Sequence, residues 1–176
     1  MVRAWVAAPG YVAAVVTQTV GGPVDAAALL SYRQPPDERT FASPDRAQAA
    51  LGIVLYRLDS PPAGALPDTV QAEVSASSDS CAITTRQSFH LPAGGWLELS
   101  QFYTKPTYAY AGWGDARSDP EAQVLSVDGQ PAYLIQSLGW WTLDWKIGDD
   151  GFELRALVSA ISAGGLLAVA ASVHSQ

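Results

Sequence analysis

Along residues 70–77, apolar Val70, Ala72, Val74 and Ala76 alternate with polar Gln71, Glu73 and Ser75. A period of two is the pattern of a strand with one buried face. A strand is therefore predicted there, with Ser78, Asp79 and Ser80 as a turn and residues 81–89 as the returning partner. The pattern recurs near the C-terminus, where Leu143, Trp145 and Ile147 face one way and Thr142, Asp144 and Lys146 the other. Gly148, Asp149, Asp150 and Gly151 turn that strand, residues 142–147, back onto residues 152–158. Between these hairpins, residues 123–127 and 131–136 flank Asp128-Gly129, a dipeptide that favours the tight turns of hairpins. Trp145, Leu143 and Leu154 are expected in the core.

Further strands are predicted over residues 11–19 and 28–32, joined through Gly21-Gly22-Pro23 and closed by Gln34-Pro35-Pro36-Asp37, and over residues 53–58 and 96–103. A proline-rich loop spans residues 61–67, and residues 105–120 form the longest irregular stretch. Two short helices complete the pattern. Ser43 is a natural N-cap, Pro44 suits the first helical position, and Asp45 sits where the helix dipole favours an acid, so a helix runs to about Leu51 and stops at Gly52. Ser162 caps a second helix, residues 163–173, whose apolar stripe runs through Ile161, Leu166, Ala170 and Val173, widened by Leu167 and Val169. The apolar run of residues 156–173 contains Ser159, Ser162, Gly164 and Gly165, and reads as a strand followed by a helix rather than a membrane span.

The sum is an α+β domain: a curved antiparallel sheet of about nine or ten strands with two short helices packed on one face. One domain over residues 1–176 is expected, with an N-terminal hairpin over 1–42 and the remainder over 43–174.

Composition narrows the function. Hydrophobic residues make up 48% and charged residues 15%, with 17 acidic against 10 basic side chains and a net charge of −7. The basic residues are scattered, so neither nucleic acid nor an anionic lipid surface is an expected partner. Cys81 is the single cysteine, which rules out an internal disulfide and reads as a small buried hydrophobe. One cysteine and two histidines, His90 and His174, cannot build a four-ligand zinc site from Cys and His alone. Asp115, Asp119 and Glu121 cluster in the long loop, but a calcium site needs about six oxygen ligands, so a solvated acidic loop is expected. No Gly-x-Ser-x-Gly elbow accompanies the histidines; His174 lies in a terminus expected to fray, and His90 is read as solvated beside a strand end. No metal, no cofactor and no catalytic residue is expected.

Residues 1–16 carry the charge and apolarity of a weak leader, but Pro9-Gly10 interrupts it and no small-residue cleavage site follows. The start is read as a domain fragment whose leader or membrane tether lies elsewhere.

The C-terminal residues carry a resemblance. Val127-Asp128-Gly129-Gln130-Pro131-Ala132-Tyr133-Leu134, then Leu143-Asp144-Trp145, Phe152-Glu153-Leu154 and Ala170-Ala171-Ser172-Val173 resemble the DUF4367 group of bacterial extracytoplasmic domains. With the helix at residues 44–51, Ala65-Leu66-Pro67 and Leu97-Glu98-Leu99-Ser100-Gln101, the likeness covers residues 43–174. The final helix departs from that group's acidic opening, reading Ala163-Gly164-Gly165. Residues 13–19 and Tyr32-Arg33-Gln34-Pro35-Pro36-Asp37 resemble the start of LolA/RseB-like domains, antiparallel half-barrels with an apolar concave face. The resemblance implies a non-catalytic binding or sensor module outside the cytoplasmic membrane, holding a lipid-like or peptide-like apolar ligand or an envelope protein, and tethered to the membrane by a segment outside this chain. Its rivals are an assembly domain with a filled core and a hydrolase with an unfamiliar site. Tyr103, Tyr108, Tyr110 and Trp113 surround the long loop and, with amphipathic rings suited to a half-wet pocket, are the expected ligand wall.

Overall fold

In the computed structural model the described residues are 2–6, 14–18, 37–76, 81–105, 116 and 119–175. They form twelve strands and two helices. In chain order these are β1 (Val2–Val6), β2 (Ala14–Gln18), β3 (Asp37–Phe41), α1 (Pro44–Leu51), β4 (Tyr56–Leu58), β5 (Leu66–Ala76), β6 (Cys81–His90) and β7 (Trp96–Lys105). Then follow β8 (Gln123–Val127), β9 (Gln130–Ser137), β10 (Trp140–Ile147), β11 (Asp150–Leu157), α2 (Ala163–Ala170) and β12 (Val173–Ser175).

Eight strands make one open antiparallel sheet in the order β3-β5-β6-β7-β11-β10-β9-β8. It consists of two meanders, β5-β6-β7 and β8-β9-β10-β11, joined where β7 meets β11. The connection from β7 to β8 therefore crosses from the middle of the sheet to its far edge. β4 and β12 form a two-stranded sheet, and β1 and β2 another. The fold is α+β, as the hydrophobic pattern predicts.

Register decides which side chains share a face. Leu97 lies opposite Ala156 and Leu99 opposite Leu154; Leu143 lies opposite both Leu154 and Leu134; Trp145 lies opposite Phe152 and Ala132. These residues are buried and pack with Leu58 of β4, Leu166, Val169 and Ala170 of α2, and Val173 of β12. A second cluster joins Ala47 of α1, Ile53 and Leu55 to Val70 and Ile83 of the same sheet face. Both helices and the β4–β12 pair thus cover one face of the large sheet.

The loop leading into β4 is held on that face by glutamine side chains, of which Gln87 and Gln101 are buried. Gln101 accepts from the Tyr56 N–H at 3.0 Å and donates to the Val54 carbonyl at 2.9 Å. Gln87 donates to the Tyr56 carbonyl at 2.6 Å, and Gln48 of α1 accepts from the Leu55 N–H at 2.8 Å. A three-residue strand layered on a sheet cannot satisfy its own backbone, and these amides do so instead.

The helix ends follow their predicted caps. Ser43 accepts from the Arg46 N–H, Pro44 opens α1, and Gly52 closes it in the left-handed region at φ 67°. Ser162 accepts from the Gly165 N–H at 3.1 Å. A Cβ at Gly165 would stand 2.9 Å from Ile161 Cγ1, so a larger residue at this point of the first turn of α2 requires the Ile161 side chain to shift.

Several boundaries differ from the predictions. Val173 is the first residue of β12 rather than the last turn of a helix; α2 ends at Ala170, and Val173 pairs with Leu58. His174, expected to fray, pairs with Arg57 in the same ladder. The proline-rich loop gives way to β5 at Leu66, so its last two predicted residues are strand, with a register shift between Pro67 and Val70. Of residues 53–58 only Tyr56–Leu58 are strand. Trp140 and Trp141 lie inside β10, because Leu138-Gly139 turns the chain earlier than predicted. β2 pairs with β1, and the predicted partner at residues 28–32 lies outside the described residues. β3, absent from the predictions, pairs with β5 and brings residues 37–41 into the main sheet. No helix among the described residues is long and apolar enough to cross a membrane.

Candidate functional site

The two layers part at one end of the sheet and leave a cleft of about 380 Å³, lined by Tyr56, Val127, Asp128, Gln130, Trp145, Ile147, Val173, His174 and Ser175. Its position follows from register. Val127 and Gln130 pair across the tight β8–β9 turn, and Trp145 and Ile147 stand on the same face near the end of β10. β12 and β4 lie over them, with Ser175 paired to Tyr56 and His174 to Arg57.

The floor is rigid. Trp145 is 1% exposed and stacks on Phe152 with ring centroids 5.4 Å apart. Tyr56 meets the same Phe152 ring edge-on at 5.0 Å. Ile147 is half-buried and completes the apolar side, while Asp128, Gln130, His174 and Ser175 are exposed and supply polar groups. An apolar floor with a few polar groups at the mouth suits a ligand that buries one apolar part and keeps a polar part wet.

His174 and Ser175 are neighbours on one strand, so their side chains point to opposite sides. That arrangement does not make a nucleophile–base pair. Among the described residues no group of three or more metal-binding side chains converges. Two carboxylates with displaced pKa stand elsewhere among the described residues. Asp150 is raised chiefly by burial, partly offset by the hydrogen bond from Gln101, and raised further by Asp149. Glu98, on the opposite face, is raised by burial, against the pull of Arg86 and Arg155.

That opposite face is polar and aromatic. Arg155 lies directly across from Glu98 and sits 5.7 Å from the ring centroid of Trp140, which in turn packs against Trp96 at 4.9 Å. Asp144, fully buried there, accepts from the Ala116 N–H at 3.0 Å.

Of the predicted ligand wall, Tyr103 is half-buried and packs against the α1 cluster with Phe41, Leu51 and Val74. It does not line the cleft. Tyr108, Tyr110 and Trp113 lie outside the described residues. His90 is exposed, 3.5 Å from Asp68. The cleft's own residues escaped the sequence reading because they come from four separate segments. The sequence marked several of them singly, through the β10 alternation, the Asp128-Gly129 turn and the apolar stripe that includes Val173, but joined none of them into one site.

No family model, no curated protein and no solved structure matches this chain.

Proposed function

We propose that this chain is a non-catalytic binding module of the bacterial envelope, working outside the cytoplasmic membrane, and that the cleft holds an apolar group of a peptide-like or lipid-like ligand. The observation that carries the reading is the cleft itself: about 380 Å³ bounded by Tyr56, Val127, Trp145, Ile147 and Val173, with polar groups at its mouth. That volume lies at the small end of ligand pockets, roughly 300–1,000 Å³, and fits a side chain or a short acyl segment rather than a whole lipid. The extracytoplasmic setting is supported by the resemblance of residues 127–134, 143–145 and 152–154 to the DUF4367 group.

Nile red, a neutral apolar probe, tests the cleft. The wild-type chain takes up one equivalent saturably. Ile147→Trp, which fills the cleft from a half-buried position, loses uptake with its unfolding midpoint unchanged. Failure of the folded wild type to bind the probe, or equal binding by Ile147→Trp, would leave an assembly domain with a filled core as the better reading.

A further inference from the structure

The two edges of the large sheet are built differently. At one edge β3 reads Asp37-Glu38-Arg39-Thr40-Phe41, and its first four residues are exposed. Charged edge strands resist pairing with other chains. At the other edge β8 reads Gln123-Val124-Leu125-Ser126-Val127, without a charge. Among the described residues its one hydrogen-bonded neighbour is β9. Val124 is 69% exposed, and Gln123 and Ser126 are exposed too.

The β8–β9 turn fixes which backbone groups face outward. Asp128 and Gly129 both have positive φ, 49° and 78°, the geometry of a two-residue turn whose flanking pair, Val127 and Gln130, is hydrogen-bonded. Bonded pairs alternate along an antiparallel ladder. Leu125–Ala132 and Gln123–Leu134 are therefore bonded, and Ser126–Pro131 and Val124–Tyr133 are not. Pro131, which has no N–H, occupies a non-bonded site, as this parity requires. The N–H and C=O groups of Val124 and Ser126 consequently point away from β9.

We propose that β8 is a docking strand for an extended peptide segment of another protein, added antiparallel at this edge, apolar at alternate positions and basic at its ends. Main-chain groups of Val124 and Ser126 supply four hydrogen bonds, the mode by which strands recognise extended peptides. The basic ends follow from charge. Glu121 and Asp128 stand exposed at the two ends of β8, in a chain of net charge −7. The same charges oppose a second copy, because an antiparallel pairing of β8 with itself about Leu125 brings Glu121 near the other copy's Asp128. Val127 belongs to both β8 and the cleft wall, so a peptide side chain opposite Val127 lies on the cleft's side of the sheet. That anchor alone rests on the reading of the cleft given above.

The test uses the full chain and a capped peptide, Lys-Val-Thr-Val-Thr-Val-Lys, followed by fluorescence anisotropy. Wild type binds, more weakly as salt is added because exposed charges are screened. The same peptide with Glu at both ends binds less. Ser126→Pro removes an outward N–H that β9 does not use, and proline is tolerated at edge positions of this kind. It weakens the peptide about tenfold, the weight of roughly one hydrogen bond, while Nile red uptake and the unfolding midpoint stay as in wild type. Ile147→Trp, which closes the cleft, still binds the peptide through the main chain. No binding by wild type, or equal binding by Ser126→Pro, overturns the proposal. Self-association of the wild type that Ser126→Pro abolishes also overturns it, by assigning the edge to a second copy.

Discussion

Gln101 of β7 donates a hydrogen bond from Nε2 to Asp150 Oδ2 at 2.8 Å. The glutamine is 1% exposed, and the same side chain accepts from Tyr56 and donates to Val54. One amide thus joins the central strand of the sheet, the start of β11 and the loop that leads into β4. Gln101→Leu keeps the volume and removes every bond, leaving the Tyr56 N–H and the Val54 carbonyl without that partner. Each buried polar group left unsatisfied costs about 1–3 kcal/mol. The variant is expected to lose roughly 2–4 kcal/mol in urea unfolding, and a loss below that of an exposed substitution would contradict the role.

Asp150 also sets a pH dependence. Its pKa is raised from the ordinary 3.8, first by burial, with Gln101 lowering and Asp149 raising it. A carboxyl with a raised folded pKa holds its proton more tightly in the folded chain than in the unfolded one. Its unfavourable contribution is absent below the ordinary pKa, grows as pH rises through the folded pKa and is complete above it. Asp150→Asn removes that titration and still accepts from Gln101. The stability of the variant relative to wild type should therefore be greatest near neutral pH, shrink as pH falls through the raised folded pKa, and level off below the ordinary carboxylate value. Urea unfolding of both chains across a pH series checks this; a difference that grows toward acid would have the wrong sign.

Trp145 links the core to the cleft. It is 1% exposed and stacked on Phe152, so Trp145→Ala leaves a large hole under both. Phe/Trp→Ala changes in cores cost about 3–5 kcal/mol, and that loss is expected in the denaturation midpoint. An unchanged midpoint would mean that the surrounding layer collapses to fill the space.

The strands with the cleanest alternation were the ones legible in the sequence. Residues 70–76 and 142–147 pair with the partners expected of them, because period-two alternation and short turns are local signals. Trp145, Leu143 and Leu154 are buried as predicted. What escaped was set by long-range pairing. Val173 continues a helical stripe in the sequence, yet joins β12 because Leu58 offers a backbone partner 115 positions earlier in the chain. β3, with three charges in five residues, carries no alternation, and it is a strand because β5 pairs with it. The cleft depends on the β4–β12 pairing over the β8–β10 end of the sheet, so no local motif announced it. Tyr103, beside the long loop, packs against the α1 cluster, and the other three aromatics of the expected wall lie outside the described residues. Tyr103→Ala should cost stability and leave Nile red uptake as it is; lost uptake in a chain of unchanged stability would return Tyr103 to the ligand wall.

Leu138 occupies the strained tip of the β9–β10 hairpin. Ser137 and Trp140 pair across a two-residue turn, and both turn residues have positive φ, 50° at Leu138 and 83° at Gly139. Such a turn suits the twist of a hairpin and favours Asn-Gly, because Asn tolerates the left-handed region that costs ordinary L-residues roughly 1–2 kcal/mol. Leu138 is 96% exposed, so burial of its side chain offsets none of that cost. Leu138→Asn should stabilise the chain by about 1 kcal/mol, which for a domain of this size raises the melting temperature by roughly 3 °C. Leu138→Ala keeps a Cβ in the same strained backbone and should give little of that gain, which separates relief of strain from the removal of an exposed apolar group. If both variants are equally stabilised, surface hydrophobicity is the cause. If Leu138→Asn is destabilised, the leucine makes a contact that its exposure hides, and the neighbouring Trp140 on the polar face of the sheet is the first place to look for it.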